Sequence, residues 1–249
     1  MMDRSSTMPA DPRMIAVEEN LKYIRERMAQ AAQKSGRAPE DIELVAVTKT
    51  VPVEYINRTI ELGVRHIGEN RVQELSSKFE SLLIPGDGLK ISVIGHLQTN
   101  KARKAASMAH MIQSVDSDRL AQELSRCAVS LDKTLECLIE INIGEEESKT
   151  GIDLARAEEL AYSTAELPGL RVCGLMVIPP FDPNPDNTRV YFEKIHKLFI
   201  DIQGKTPHNS NIEMKYLSMG MSADYAQAIE EGSNMVRIGS SLYGARVYS

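Results

Sequence analysis

Lys49 closes the run Glu43-Leu44-Val45-Ala46-Val47-Thr48-Lys49, an apolar, β-branched stretch that ends on a single primary amine. Such a run reads as a buried parallel strand, and alternation puts Val45, Val47 and Lys49 on one face of it. With the valines in the core, the amine stands at the strand's C-terminal mouth, where a lysine can act as an imine-forming nucleophile. A second cation lies inside Met235-Val236-Arg237-Ile238-Gly239, where Met235, Arg237 and Gly239 share a face and the guanidinium points inward. Ser218-Met219-Gly220 and Gly239-Ser240-Ser241 add glycines and hydroxyls whose free N–H groups suit an anion. Taken singly, each feature has a plainer reading: a solvated lysine, a structural salt bridge, turn glycines with serine caps.

These residues need a scaffold that brings them to one rim. Short apolar runs alternate with amphipathic stretches along the chain. The predicted strands are Leu44–Thr48, His66–Gly68, Lys90–Ile94, Met111–Ser114, Leu135–Asn142, Arg171–Val177, Glu213–Leu217 and Met235–Ile238. Helical patterns cover Met14–Lys34, Val53–Leu62, Arg71–Leu83, Ser117–Val129, Leu154–Glu166 and Ser222–Glu231. Asp116, Ser117 and Asp153 are their expected N-caps, and Gly63, Gly169 and Gly232 their expected stops. Eight strands, each followed by a helical segment, predict an α/β fold: a single parallel (β/α)8 TIM barrel with an extra N-terminal helix. An open doubly wound sheet is the rival arrangement. Residues 1–13 are expected to form a loose, disordered tail, and 14–249 one domain.

Composition removes other classes. With 249 residues, 42% hydrophobic and 26% charged, the chain fits one barrel domain, and a net charge of −6 argues against general nucleic-acid binding. Cys127, Cys137 and Cys173 form no C-x-x-C pair and read as reduced core thiols of a cytoplasmic protein. The five histidines lack metal-ligand spacing, and no segment has the apolar length of a membrane span or signal peptide.

In the barrel, the residues just after each strand gather at one end. They include Lys49, Gly68-Glu69-Asn70, Gly95-His96, Asn142, Pro179-Pro180, Ser218-Met219-Gly220 and Gly239-Ser240-Ser241. The loops after strands seven and eight are the recurrent phosphate site of such barrels. A lysine, an inward arginine and a phosphate nest form the set that pyridoxal 5′-phosphate requires: an amine for its aldehyde, a cradle for its phosphate and a partner for its ring nitrogen. Asn70 is a ligand donor or a helix cap, and Met176 packs on a flat ring or in the core. Lys149, in a charged loop, rivals Lys49 as the reactive amine. Lys101, Arg103 and Lys104 read as a solvated helical face.

Five blocks carry a resemblance: Val45-Ala46-Val47-Thr48-Lys49, Gly68-Glu69-Asn70-Arg71-Val72-Gln73-Glu74, Ile94-Gly95-His96-Leu97-Gln98-Thr99-Asn100-Lys101, Ser218-Met219-Gly220-Met221-Ser222-Ala223-Asp224 and Val236-Arg237-Ile238-Gly239-Ser240. In this order they resemble the pyridoxal phosphate homeostasis protein family. The resemblance implies a barrel like the N-terminal domain of bacterial alanine racemases, with pyridoxal phosphate bound and no established turnover. It implies an internal aldimine on Lys49, Arg237 at the pyridine nitrogen, Ser218, Gly239 and Ser240 at the phosphate, and Asn70 near the ring hydroxyl. Two positions depart from the family: Ser92 stands where a histidine is common, and Ser240 where a threonine is frequent.

A permanently charged arginine disfavours protonation of the ring nitrogen, which leaves the cofactor a weak electron sink. In the racemases resembled here, a second acid–base tyrosine comes from a further domain of a partner subunit, for which this chain leaves no residues. The expected function is therefore buffering and delivery of the cofactor to pyridoxal phosphate-dependent apoenzymes, by a monomer. A weak amino-acid racemase is the runner-up, and a Schiff-base aldolase acting on a phosphosugar ranks last.

Overall fold

The computed structural model describes residues 11–144, 150–207 and 210–244. Its strands are β1 (Glu43–Val47), β2 (His66–Glu69), β3 (Lys90–Val93), β4 (Met111–Val115), β5 (Leu135–Ile141), β6 (Leu170–Val177), β7 (Ile212–Ser218) and β8 (Met235–Ile238). They close into a barrel in chain order, and every neighbouring pair, β8 with β1 included, is parallel. The doubly wound alternative is thereby excluded, since an open sheet has edges and this one has none. The helices are α1 (Pro12–Lys34), α2 (Val53–Glu61), α3 (Val72–Lys78), α4 (Ala102–Met108), α5 (Asp118–Ser130), α6 (Ala157–Ala165), α7 (Arg189–Lys205), α8 (Tyr225–Glu230) and α9 (Ser240–Tyr243).

Helix α1 begins at Pro12, two residues before the expected Met14. Asp11 accepts the Arg13 N–H at 2.9 Å as its cap, and proline suits the first helical turn. Residues 1–10 of the expected tail lie outside the described residues. Val17, Leu21, Ile24 and Met28 recur at helical spacing and bury one face of α1. That face packs against α2, α8 and α9, covering the flank where the last strand meets the first. Ser117 caps α5 as expected, accepting from the Leu120 N–H, whereas Asp153 makes no side-chain cap bond. Among the described residues no helix is long and apolar enough to cross a membrane.

The apolar core lies mostly between the barrel and its helices. A smaller cluster fills the barrel itself: Val45, Met111, Leu138, Cys173, Met176, Tyr216 and Met235. All three cysteines are buried and free, and burial pushes the Cys173 thiol up to about 12. The rest of the interior is polar, and it runs to the site.

The strand pairs are unequal. β5 and β6 pair over seven residues, but β7 and β8 share one register pair, Ser218 with Met235. Side chains and a loop extend this thin seam. Asn234 accepts from the Leu217 N–H at 2.8 Å and donates to the Lys215 carbonyl at 2.7 Å, while the Arg237 N–H reaches the Gly220 carbonyl at 3.0 Å. Gly220 needs to be glycine: its φ is +93°, and a Cβ would stand 2.5 Å from the Ala228 methyl.

Candidate functional site

Thr48 and Lys49 follow β1 on opposite faces. Thr48 is buried and its hydroxyl donates to Glu69 at 2.9 Å, toward α3, so alternation sends the half-buried Lys49 to the barrel mouth. The backbone around the lysine is clamped by charge. Lys78 Nζ donates to the Thr48 carbonyl at 2.8 Å, to Glu69 at 3.1 Å and to Glu74 at 2.6 Å, and Glu74 accepts the Thr50 N–H at 2.5 Å. Glu69 is 1% exposed; burial pushes its carboxyl up, and Lys78 opposes that shift. Thr50 has φ +61°, in a region that β-branched residues avoid. The strained turn bends the chain immediately after Lys49 and keeps the amine at the rim.

Arg237 is buried and pairs in register with Val45, a member of the inner cluster, so its side chain points into the barrel as expected. Its donors reach neutral groups, Nη1 to the Ser218 hydroxyl at 2.7 Å and Nη2 to the Val177 carbonyl at 2.9 Å. Among the described residues it forms no ion pair; Glu140 and Asp224 act on it only through space. Burial pulls the guanidinium down to about 10, so it remains a cation at neutral pH. Two of five donors are used by these bonds, which leaves a buried cation able to donate to a ligand acceptor.

The loops after β7 and β8 are fastened together. Ser222 Oγ accepts the N–H groups of Gly239 at 3.3 Å and Ser241 at 3.2 Å, and the Ser241 hydroxyl donates to the Ser222 carbonyl at 3.3 Å. Asp224 secures the first loop by accepting the Met221 N–H at 2.7 Å. Gly239 is half-buried and Ser240 exposed, beside Ser222, in the position expected for a phosphate cradle.

Two site expectations change. Strand β7 runs through Ser218, one residue beyond its predicted end, so this serine is an inward strand residue and not a loop residue. Its hydroxyl is buried and committed to Gln113 and Arg237, and Ser222 is the hydroxyl that faces the β8 loop. Met176 is fully buried in the inner cluster and takes the core role. Asn70 is half-buried and lines a cleft with His96, Gln98 and Lys101; Gly95 packs so closely that a Cβ there would lie 2.5 Å from the Asn70 carbonyl. Lys149 lies outside the described residues. Sequence reasoning also missed Glu140. This buried carboxyl on β5 accepts the Thr150 hydroxyl at 2.6 Å, and its other oxygen has no hydrogen-bond partner among the described residues. A second glutamate, on the same strand parity as Glu136 in a strand of otherwise apolar residues, was the available signal.

An amine at the rim, a buried cation with donors to spare and a loop pair that sets the Ser222 and Ser240 hydroxyls side by side fit an aldehyde, a ring nitrogen and a phosphate. Residues 16–247 match the alanine racemase N-terminal domain family. The pyridoxal phosphate homeostasis protein of Aquifex aeolicus (strain VF5) is 40% identical over 92% of this chain and 98% of its own length. That of Escherichia coli (strain K12) is 41% identical over 94% and 98%. Among solved structures, PipY of Synechococcus elongatus PCC7942 with pyridoxal phosphate bound superposes with a TM-score of 0.78 at 31% identity, covering 92% of this chain and 100% of PipY. With likeness spanning whole chains on both sides, this chain belongs to the pyridoxal phosphate homeostasis protein family.

Proposed function

We propose that this protein holds pyridoxal 5′-phosphate on Lys49 and serves its homeostasis as a non-catalytic carrier that buffers the cofactor and hands it to apoenzymes. The observation that carries the reading is Arg237, a buried cation bonded only to neutral groups among the described residues, on the strand beside the one that presents the lysine. Pyridoxal phosphate supplies an aldehyde that condenses with a primary amine and, when its ring nitrogen is protonated, a sink for electrons. An arginine that stays charged donates to that nitrogen and keeps a proton off it. The Gly239–Ser241 loop and Ser222 hold the phosphate, with Ser240 at the rim, and Asn70 reaches the ring hydroxyl.

Purified protein tests this directly. The loaded chain absorbs in the visible range, and borohydride reduction followed by peptide mass spectrometry finds the pyridoxyl group on Lys49. A colourless protein that cannot be loaded would sink the reading, and modification of Lys149 in place of Lys49 would move the site.

The second reading is a weak amino-acid racemase, and Glu140 favours it. Burial pushes this carboxyl up, which makes it a candidate proton carrier inside the barrel. Racemisation at ordinary turnover, on the order of 1 s⁻¹ or more, would replace the carrier reading.

A further inference from the structure

The polar residues inside the barrel are not scattered. From Arg237, hydrogen bonds run through Ser218 (2.7 Å), Gln113 (2.8 Å), Ser92 (3.2 Å) and His66 (2.6 Å) to Glu43 (2.5 Å). The line crosses from β8 to β7, β4, β3, β2 and β1, and joins the arginine to the N-terminal mouth of the barrel. Ser218, Gln113, Ser92 and His66 are each at most 2% exposed.

Chemistry fixes the direction of every link. Arginine only donates, so Ser218 accepts, and its own O–H goes to Gln113 Oε1. The Gln113 amide nitrogen then donates to Ser92. It also faces Met235 Sδ at 3.3 Å, a sulfur that can only accept, which fixes the amide's orientation. The Ser92 O–H is left for His66 Nε2, which must be bare, so the proton sits on Nδ1 and points to Glu43. All five donors thus point from the cation toward the carboxylate. Burial pushes His66 down, in agreement with a neutral ring, so the Glu43 contact is a hydrogen bond from imidazole to carboxylate and not an ion pair.

We propose that Gln113 is a positioning residue of the cofactor site: by accepting the Ser218 O–H it turns that oxygen's lone pairs to Arg237, and so fixes the guanidinium that faces the ring nitrogen. The proposal rests on the pyridoxal phosphate reading above. Ser92 and His66 extend the same support, and the hydroxyl at 92 is the donor that His66 accepts.

The test uses the full chain loaded with pyridoxal phosphate, as wild type, Gln113→Leu and Ser92→Ala. Visible absorption maximum, Kd and thermal midpoint are measured for each. Gln113→Leu keeps the volume but removes both amide functions; it should raise Kd about tenfold and displace the absorption maximum. Ser92→Ala, one link farther, should move both in the same direction by less. A wild-type maximum and Kd in both variants would overturn the proposal. So would a change confined to the thermal midpoint, which would make the amide merely structural. If Gln113→Leu does not fold, Ser92→Ala decides. A wild-type chain that binds no pyridoxal phosphate overturns the function itself, and the proposal with it.

Discussion

The two cations of the site are held in opposite ways. Around Lys49 the protein fixes the backbone: Lys78 and Glu74 grip the peptide groups on either side from the outer layer, Glu69 holds Lys78 and the Thr48 hydroxyl, and the amine itself remains at the rim. Around Arg237 it fixes the head: Ser218 and the Val177 carbonyl take the guanidinium from inside the barrel. The outer clamp is made of charges and the inner one of neutral groups. The difference suits the role proposed for each cation. A nucleophile has to approach, bond and release, so only its base is restrained. An electrostatic partner works through a fixed position and gains from losing its freedom before the ligand arrives.

Removing the lysine has the largest expected effect. Lys49→Ala abolishes covalent retention of the cofactor, seen as loss of the visible band, while the thermal midpoint stays near wild type because the half-buried side chain makes no hydrogen bond or ion pair among the described residues. Breaking the outer clamp comes next: Lys78→Ala strips the counter-charge from Glu69 and should cost about 3 kcal/mol in denaturant unfolding. Arg237→Lys keeps the charge but loses the fork that spans Ser218 and Val177, so Kd for pyridoxal phosphate rises about tenfold by absorbance titration, with little change in fold. The smallest effect is a pH slope. Burial lowers His66 from 6.5, so on acidification the unfolded chain takes a proton before the folded one does. Stability therefore falls as pH drops from about 7 to 5, and His66→Gln should remove up to about 1 kcal/mol per pH unit of that slope. His110, also pushed down by burial, keeps the remainder. A slope unchanged in thermal melts of His66→Gln would place the titration elsewhere.

All eight strands were legible in the sequence, including the four-residue β2, because parallel strands covered on both faces leave short apolar runs. The inward direction of Arg237 was legible for a simpler reason: parity depends only on knowing that residue 237 lies within a strand. Ser218 shows how little margin that leaves. Ending β7 at Leu217 put its hydroxyl in a loop beside a phosphate; ending it at Ser218 turns the same hydroxyl into the barrel. The pairing of His66 with Ser92 and of Gln113 with Ser218 was beyond reach, because partners up to 105 positions apart meet only once the barrel closes. Polar residues within apolar strands were the visible sign that such partners had to exist.

The thin seam between β7 and β8 has a consequence for motion. Between β5 and β6, opening the pair means breaking a ladder seven residues long; here it means releasing one register pair, an asparagine side chain and a few loop contacts. Amide exchange at Leu217–Gly220 should therefore be faster than in β5 and β6, reporting a local opening well below global unfolding. The loops fastened by Ser222 lie across the upper end of this seam. An anion gripped by both loops ties the last strand to its neighbour, so loading the protein protects this stretch of amides first. With the phosphate held as proposed, release would begin where the wall itself is easiest to part.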